Sequence, residues 1–194
     1  MRLSPLPSAA SWKHLGARSG FELTFFREGL DAGHRLIGHT TANEESALWS
    51  VGYDILLDAG WRTVAVHATT LGPQGARAVT LSRDAEDGWI VDGEARPDLD
   101  GCVDVDFESS AVTNTLPLHR TAFEIGETVA VSSAFVRADD LRVERLEQTY
   151  ALMARSSGRL IFHYESPAFS FACDLVYDAA GLVLEYPGIA ARDL

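Results

Sequence analysis

"ALWSVGYDILLDAGWRTVAVHATTL", residues 47–71, decides the class of fold. Trp49, Val51, Tyr53, Ile55 and Leu57 fall on every second position, and this period of two marks a strand with one buried face. Asp58, Ala59 and Gly60 then supply turn chemistry, and the alternation resumes at Trp61. The stretch reads as a β-hairpin. The same pattern recurs in "FELTFF" (21–26), "HRLIGHT" (34–40), "ARAVTLS" (76–82), "GWIV" (88–91), "CVDVDF" (102–107), "TVAVSSAFV" (128–136), "RLIFHYE" (159–165), "FSFACDLVY" (169–177) and "LVLEY" (182–186). These runs are rich in Val, Phe, Tyr and Thr, and "AEDGW", "RADDL", "SSGR" and "DAAGL" break them as turns. About a dozen closely spaced strands predict a mainly β protein, either a sandwich, a barrel or a curled sheet.

Residues 1–194 read as one domain, large enough for a sizeable core. Net charge is −12, which argues against a nucleic-acid partner and against docking on anionic lipid heads. No run reaches the roughly 20 apolar residues of a membrane helix. "MRLSPLPSAASWKH" has two prolines and no continuous apolar segment, so the expectation is a cytoplasmic protein with a disordered start. Cys102 and Cys173 are expected as free thiols, and no zinc spacing is present.

"LRVERLEQTYALM" (141–153) has helical propensity as well as strand character. A comparison of residues 52–93 with 149–188 favours strand. Each segment opens on a tyrosine strand and turns at a glycine. Each resumes at an arginine nine residues after the tyrosine, Tyr53 to Arg62 and Tyr150 to Arg159. Both a duplication into two pseudo-repeated halves and the monotony of repeated hairpins fit this pattern. One short helix is expected at about 111–116, with Ser110 as N-cap and Pro117 ending it.

"LDGCVDVDFESSAVTNTLPLHR" (99–120) carries the chemistry. Along its strand, Val103, Val105 and Phe107 share one face, and Cys102, Asp104 and Asp106 share the other. Neighbouring carboxylates on that face stand about 7 Å apart. They repel by roughly 0.6 kcal/mol in water and about 2.4 kcal/mol at an effective dielectric near 20. A solvated strand face tolerates this; an enclosed one needs donors, a cation or a protonated acid. Asn114, His119 and Arg120 follow closely and can serve as donors. The acids then read as a polar pocket for sugar hydroxyls, which both donate and accept.

Sharper motifs fail. "DVD" lacks a nucleotide-binding βαβ context, and "DLDG" lacks the closing glutamate of a calcium loop, since position 109 is serine. Asp104 and Asp106 reach the spacing of glycosidase carboxylates, as any i, i+2 pair does. His34, His39, His67 and His163 read as packing or surface residues. The tryptophans and Tyr164 read as core, interface or sugar-stacking groups.

"LDGCVDVDF", "TNTLPLHR", "EQTY" and "DAAGLVLEYPG", with Trp12 and Glu22 near the start, resemble the bacterial Putative glycolipid-binding family over nearly the whole chain. The resemblance implies a many-stranded antiparallel sheet curled around a single short helix, a tight homodimer and an acidic pocket. It also implies remote similarity to lipoprotein localisation factors and a role in glycolipid metabolism. Carried over by position, the acidic motif falls on Asp100, Gly101, Cys102, Asp104 and Asp106. The polar motif falls on Thr113, Asn114, Thr115, Leu116, Pro117 and Arg120. Two positions depart from the family pattern, Ala111 in place of a proline and His119 in place of an arginine. The histidine exchanges a permanent bidentate donor for a group that titrates near neutrality.

The resulting expectation is a non-catalytic binding protein with no metal and no cofactor. Asp100, Asp104, Asp106, Asn114, His119 and Arg120 would bind a glycolipid or sugar-containing molecule, and an apolar sheet face would hold the tail. The alternatives are a hydrolase or transferase acting on sugar conjugates through Asp104 or Asp106, and a structural dimer whose acids are plain surface.

Overall fold

The computed structural model describes residues 3–16, 18–156 and 158–193. In the first half the strands are β1 (Ala9–His14), β2 (Arg18–Glu28), β3 (His34–Glu44), β4 (Ala47–Leu57), β5 (Thr63–Gly72), β6 (Gly75–Arg83), β7 (Trp89–Val91) and β8 (Glu94–Ala95). In the second they are β9 (Asp104–Phe107), β10 (Thr128–Val136), β11 (Val143–Ser156), β12 (Arg159–Ser166), β13 (Phe171–Tyr177), β14 (Val183–Tyr186) and β15 (Ala190–Arg192). All belong to one sheet, in the order β8-β7-β6-β5-β4-β3-β2-β1-β15-β14-β13-β12-β11-β10-β9. The hairpin of the opening stretch is β4–β5. Trp49, Val51, Tyr53, Ile55 and Leu57 all face inward, as the alternation requires.

Each half is a meander, and both run in the same sense across the sheet, so β4–β5 and β11–β12 hold matching places in the order. Both hairpins carry a register shift, at Leu56/Leu57 and at Leu152/Ala154. Residues 143–156 are strand throughout.

The halves are joined by β1 and β15, which the sequence does not announce. The N-terminal segment expected to be disordered forms β1, pairing with β2 and with β15. Trp12 is fully buried there, and its indole Nε1 donates to the Val183 carbonyl at 2.7 Å. His14 is buried and bonds Thr40 Oγ1 through Nε2 at 2.8 Å.

The sheet is antiparallel in every ladder but one. β9 runs parallel to β10, and a parallel pair needs a long crossover. That crossover holds the helical segment. A 3₁₀ turn spans Val112–Thr115 and α1 spans Leu116–Arg120. The helix thus continues past Pro117 instead of ending before it. Pro117 lies in the first turn of α1, where its missing N–H is an orphan in any case. The N-cap position of the 3₁₀ turn is Ala111 and not Ser110, although Ser110 Oγ still accepts from Val112 N–H at 3.2 Å.

Strand β9 tucks into the curl of the sheet. Thr63 N–H of β5 donates to the Val103 carbonyl at 3.3 Å, and Val105 N–H donates to Thr63 Oγ1 at 3.0 Å. Arg83 Nη2 reaches the Cys102 and Val103 carbonyls, and Trp89 Nε1 donates to the Cys102 carbonyl at 2.9 Å. The sheet therefore folds back on itself through such contacts, without a closing ladder.

Candidate functional site

The helical segment is held against the sheet by buried polar groups. Glu22 on β2 is fully buried and accepts from Tyr53 Oη at 2.6 Å, from Ala111 N–H at 2.7 Å and from Ser110 Oγ. Burial raises its pKa, and these donors oppose the rise. Tyr53 reaches Glu22 because its cross-strand partner on β3 is Gly38. A Cβ at Gly38 would stand 2.2 Å from the Tyr53 ring, so only glycine leaves room for the phenol to lie across the strand.

Both faces of β9 are enclosed, so of the two readings left open for its acids, a solvated face and an enclosed one, the enclosed one holds. Val105 and Phe107 face the first half, where the Phe107 ring meets Tyr53 at 5.4 Å. Asp104 and Asp106 face the helical segment and β11. Asp104 is 1% exposed and takes a bidentate pair from Arg120, at 3.1 Å from Nε and 2.7 Å from Nη2. Burial pushes its carboxyl upward, and Arg120 pulls against that shift. Asp106 has no cation partner. It accepts from Thr113 Oγ1 at 2.6 Å and from Gln148 Nε2 at 2.8 Å, and burial raises its pKa to about 6. The enclosed acids thus have the donors and the cation that their crowding demands.

Beside Asp106 lies a cavity of about 270 Å³. Asp106, Phe107, Ser110 and Asn114 line it from β9 and the crossover. Phe135, Leu146, Tyr164, Ser166, Phe169, Phe171 and Tyr186 form its walls, and Leu15, Arg18, Glu44 and Glu108 belong to its lining as well. Asn114 Oδ1 accepts from Tyr150 Oη at 2.9 Å, and among the described residues its Nδ2 has no partner. Gln148 Nε2 also donates to Tyr164 Oη at 2.8 Å, and the Tyr186 and Ser166 hydroxyls lie close to the same oxygen. The Ser166 hydroxyl is buried, and among the described residues it makes no hydrogen bond of good geometry.

Of the residues expected to bind ligand, Asp106 and Asn114 meet at the cavity. Asp104 and Arg120 lie behind it as the ion pair that fixes α1 to β9. His119 lies elsewhere. It stacks on Trp61 at 3.7 Å and bonds the Ala180 carbonyl at 2.9 Å, while His34 stacks on Trp61 at 4.3 Å. Trp61 has a φ of 66°, a conformation unusual for a bulky residue, and the two imidazoles clasp it there. Burial holds the His119 pKa down at about 4, so this histidine stays neutral near pH 7. Asp100 is exposed before β9, its carbonyl bonded by Arg145.

Glu22, Gln148, Ser166 and Tyr186 stand outside the expected ligand-binding set, and Tyr164 enters the sequence reading only as one of several core, interface or sugar-stacking aromatics. Their signal was present: Glu22, "EQTY" and "LVLEY" carry the family resemblance, and period two puts Gln148 and Tyr150 on one face.

A curled sheet with a helical crossover packed against it and a small part-polar cavity defines a mainly β protein. The chain belongs to the family described as Putative glycolipid-binding, whose model matches residues 9–192. It is similar to a DUF1089 family protein from Pseudomonas aeruginosa, with 26% identity and a TM-score of 0.78, over 99% of this chain and 95% of that one. It also shares its fold with a beta-barrel-like protein of domain of unknown function DUF1849 from Brucella abortus, at 9% identity and a TM-score of 0.58, over 98% and 96% of the two chains. No curated protein matches the chain. Among the described residues, no helix is long and apolar enough to cross a membrane, and no cluster of metal-ligating side chains occurs.

Proposed function

We propose that the protein binds a glycolipid without acting on it, using the cavity at Asp106 and Asn114 as the sugar site and neighbouring apolar surface for the tail. One observation carries this reading: a buried carboxylate and an amide with only its Oδ1 engaged share a cavity with aromatic walls, in a chain of this family. Hydroxyls satisfy both polar groups, and sugar rings pack on aromatic faces. Binding is favoured over catalysis because Asp104, the nearest second acid on the strand, is bound by Arg120 and lies outside the cavity lining. Titration of short-chain glycosides by calorimetry tests the site. Asn114→Ala is expected to weaken binding about tenfold, the worth of one lost hydrogen bond. Unchanged affinity in both Asn114→Ala and Asp106→Asn would remove the site assignment.

Asp106, with its carboxyl near 6, is the one observation that favours a hydrolase, since an acid in that range can donate near neutrality. Turnover of chromogenic glycosides that disappears in Asp106→Asn would replace the binding reading.

The same reading includes a homodimer. Phe21, Leu23 and Phe25 point outward from β2, and Ile37 lies opposite Phe25 on β3, each 36–39% exposed. This apolar patch is where a second copy would pack. Leu23→Glu is expected to halve the mass seen by light scattering. A cytoplasmic setting suits the two free thiols.

A further inference from the structure

We infer that the cavity admits one uncharged sugar ring, head first, and rejects phosphate or carboxylate head groups. The inference rests on the glycolipid-binding reading and narrows its ligand class. Charge carries it first. The only cation among the described lining residues is Arg18, and its charge is paired with Glu44. Nε and Nη2 bond Glu44 at 3.2 and 3.0 Å, Nη1 bonds the Glu108 carbonyl at 2.9 Å, and the guanidinium stacks 4.8 Å over Trp49. Two further arginines stand near the cavity and both are ion-paired, Arg120 with Asp104 and Arg137 with Glu108. Asp106, Glu44 and Glu108 all line the cavity, so an anionic head would meet carboxylates with no free guanidinium.

The free hydrogen-bonding groups point the same way. Ser166, 1% exposed, lines the cavity, and among the described residues its hydroxyl makes no hydrogen bond of good geometry. Asn114 Nδ2 donates and Asp106 accepts. Mixed donors and acceptors suit neutral hydroxyls, each of which serves in both roles. A buried methylene chain would leave all of them unpaired.

Size sets the orientation. A volume of about 270 Å³ is below the roughly 300–1,000 Å³ of pockets that enclose drug-sized ligands. It holds a ring or a short chain, not both. The polar groups of Asp106, Asn114 and Ser166 take the ring, which leaves the tail to the rim, where Leu15 and Phe169 are 42% and 47% exposed.

The test compares octyl β-glucoside, octyl phosphate and 1-octanol, each titrated below its micelle or solubility limit by calorimetry. The glucoside is expected to saturate at one per chain. Octyl phosphate and octanol are each expected to bind at least tenfold more weakly. Ser166→Ala, checked for folding by circular dichroism, should weaken the glucoside several-fold and leave octanol unchanged. Asp106→Asn should narrow the gap between glucoside and phosphate. Phosphate binding as tight as glucoside overturns the charge assignment. Octanol matching the glucoside overturns the orientation while leaving a lipid-binding protein. Failure of all three ligands overturns this inference and the glycolipid reading together.

Discussion

Asp106 shows what enclosure costs a single residue. Its partners are a hydroxyl and an amide, and burial raises its carboxyl from the ordinary value of 3.8 to about 6. A carboxyl whose folded pKa is raised binds its proton more tightly when folded, so ionising it disfavours the fold. The stability it contributes is therefore full in acid and is lost as pH rises from about 4 through about 6, a change of roughly 3 kcal/mol. Thermal unfolding followed across that window should show this loss in the wild type and a flatter profile in Asp106→Asn. A parallel pair of profiles would mean that the Asp106 pKa is the same folded and unfolded, so that burial imposes no such cost. The cost is consistent with a group kept for a ligand, since Asn at this site would be cheaper to bury. His119 makes the complementary point. The sequence places it next to the acids and suggests a switch near neutrality. Packing on Trp61 buries the ring, lowers its pKa to about 4 and takes it out of the cavity.

The helical crossover is the element that builds the site. It is too short to be stable alone, and its position depends on two buried anchors, Glu22 with Ser110 and Ala111, and Asp104 with Arg120. Arg120→Ala leaves the Asp104 carboxylate buried without its cation and is expected to cost about 3 kcal/mol in denaturant unfolding. Asp104→Asn combined with Arg120→Met should recover part of that, because it removes both charges. A double variant no better than the single would show that the pair does not hold α1. Gly38→Ala should also loosen the crossover, since the added methyl displaces Tyr53 from Glu22. Pro117 misleads in the sequence because proline ends a helix from within and begins one from the first turn. Which role applies depends on where the preceding 3₁₀ turn delivers the chain.

Across the whole molecule, the pairing of β1 with β15 turns two meanders into one sheet. Trp12 packs fully buried at that seam and bonds β14. Trp12→Ala is expected to cost about 4 kcal/mol, as large core truncations do, and to unfold both halves in one transition. Two separate transitions would show that the halves fold independently. The sequence by itself determined the β class, the hairpins and the inward faces of the long strands, because a period of two is local and each turn has its own chemistry. It also determined that acids crowded at 100–106 need donors if enclosed. Only the tertiary structure decided that they are enclosed. β9 is an edge strand, and what covers its two faces comes from β4, β5, β11 and the crossover, far away along the chain. The same holds for β1 and β15, whose short runs carry little alternation and become strands through the neighbours they pair with. Burial is a property of what lies opposite a residue, and no stretch of sequence contains its own opposite face.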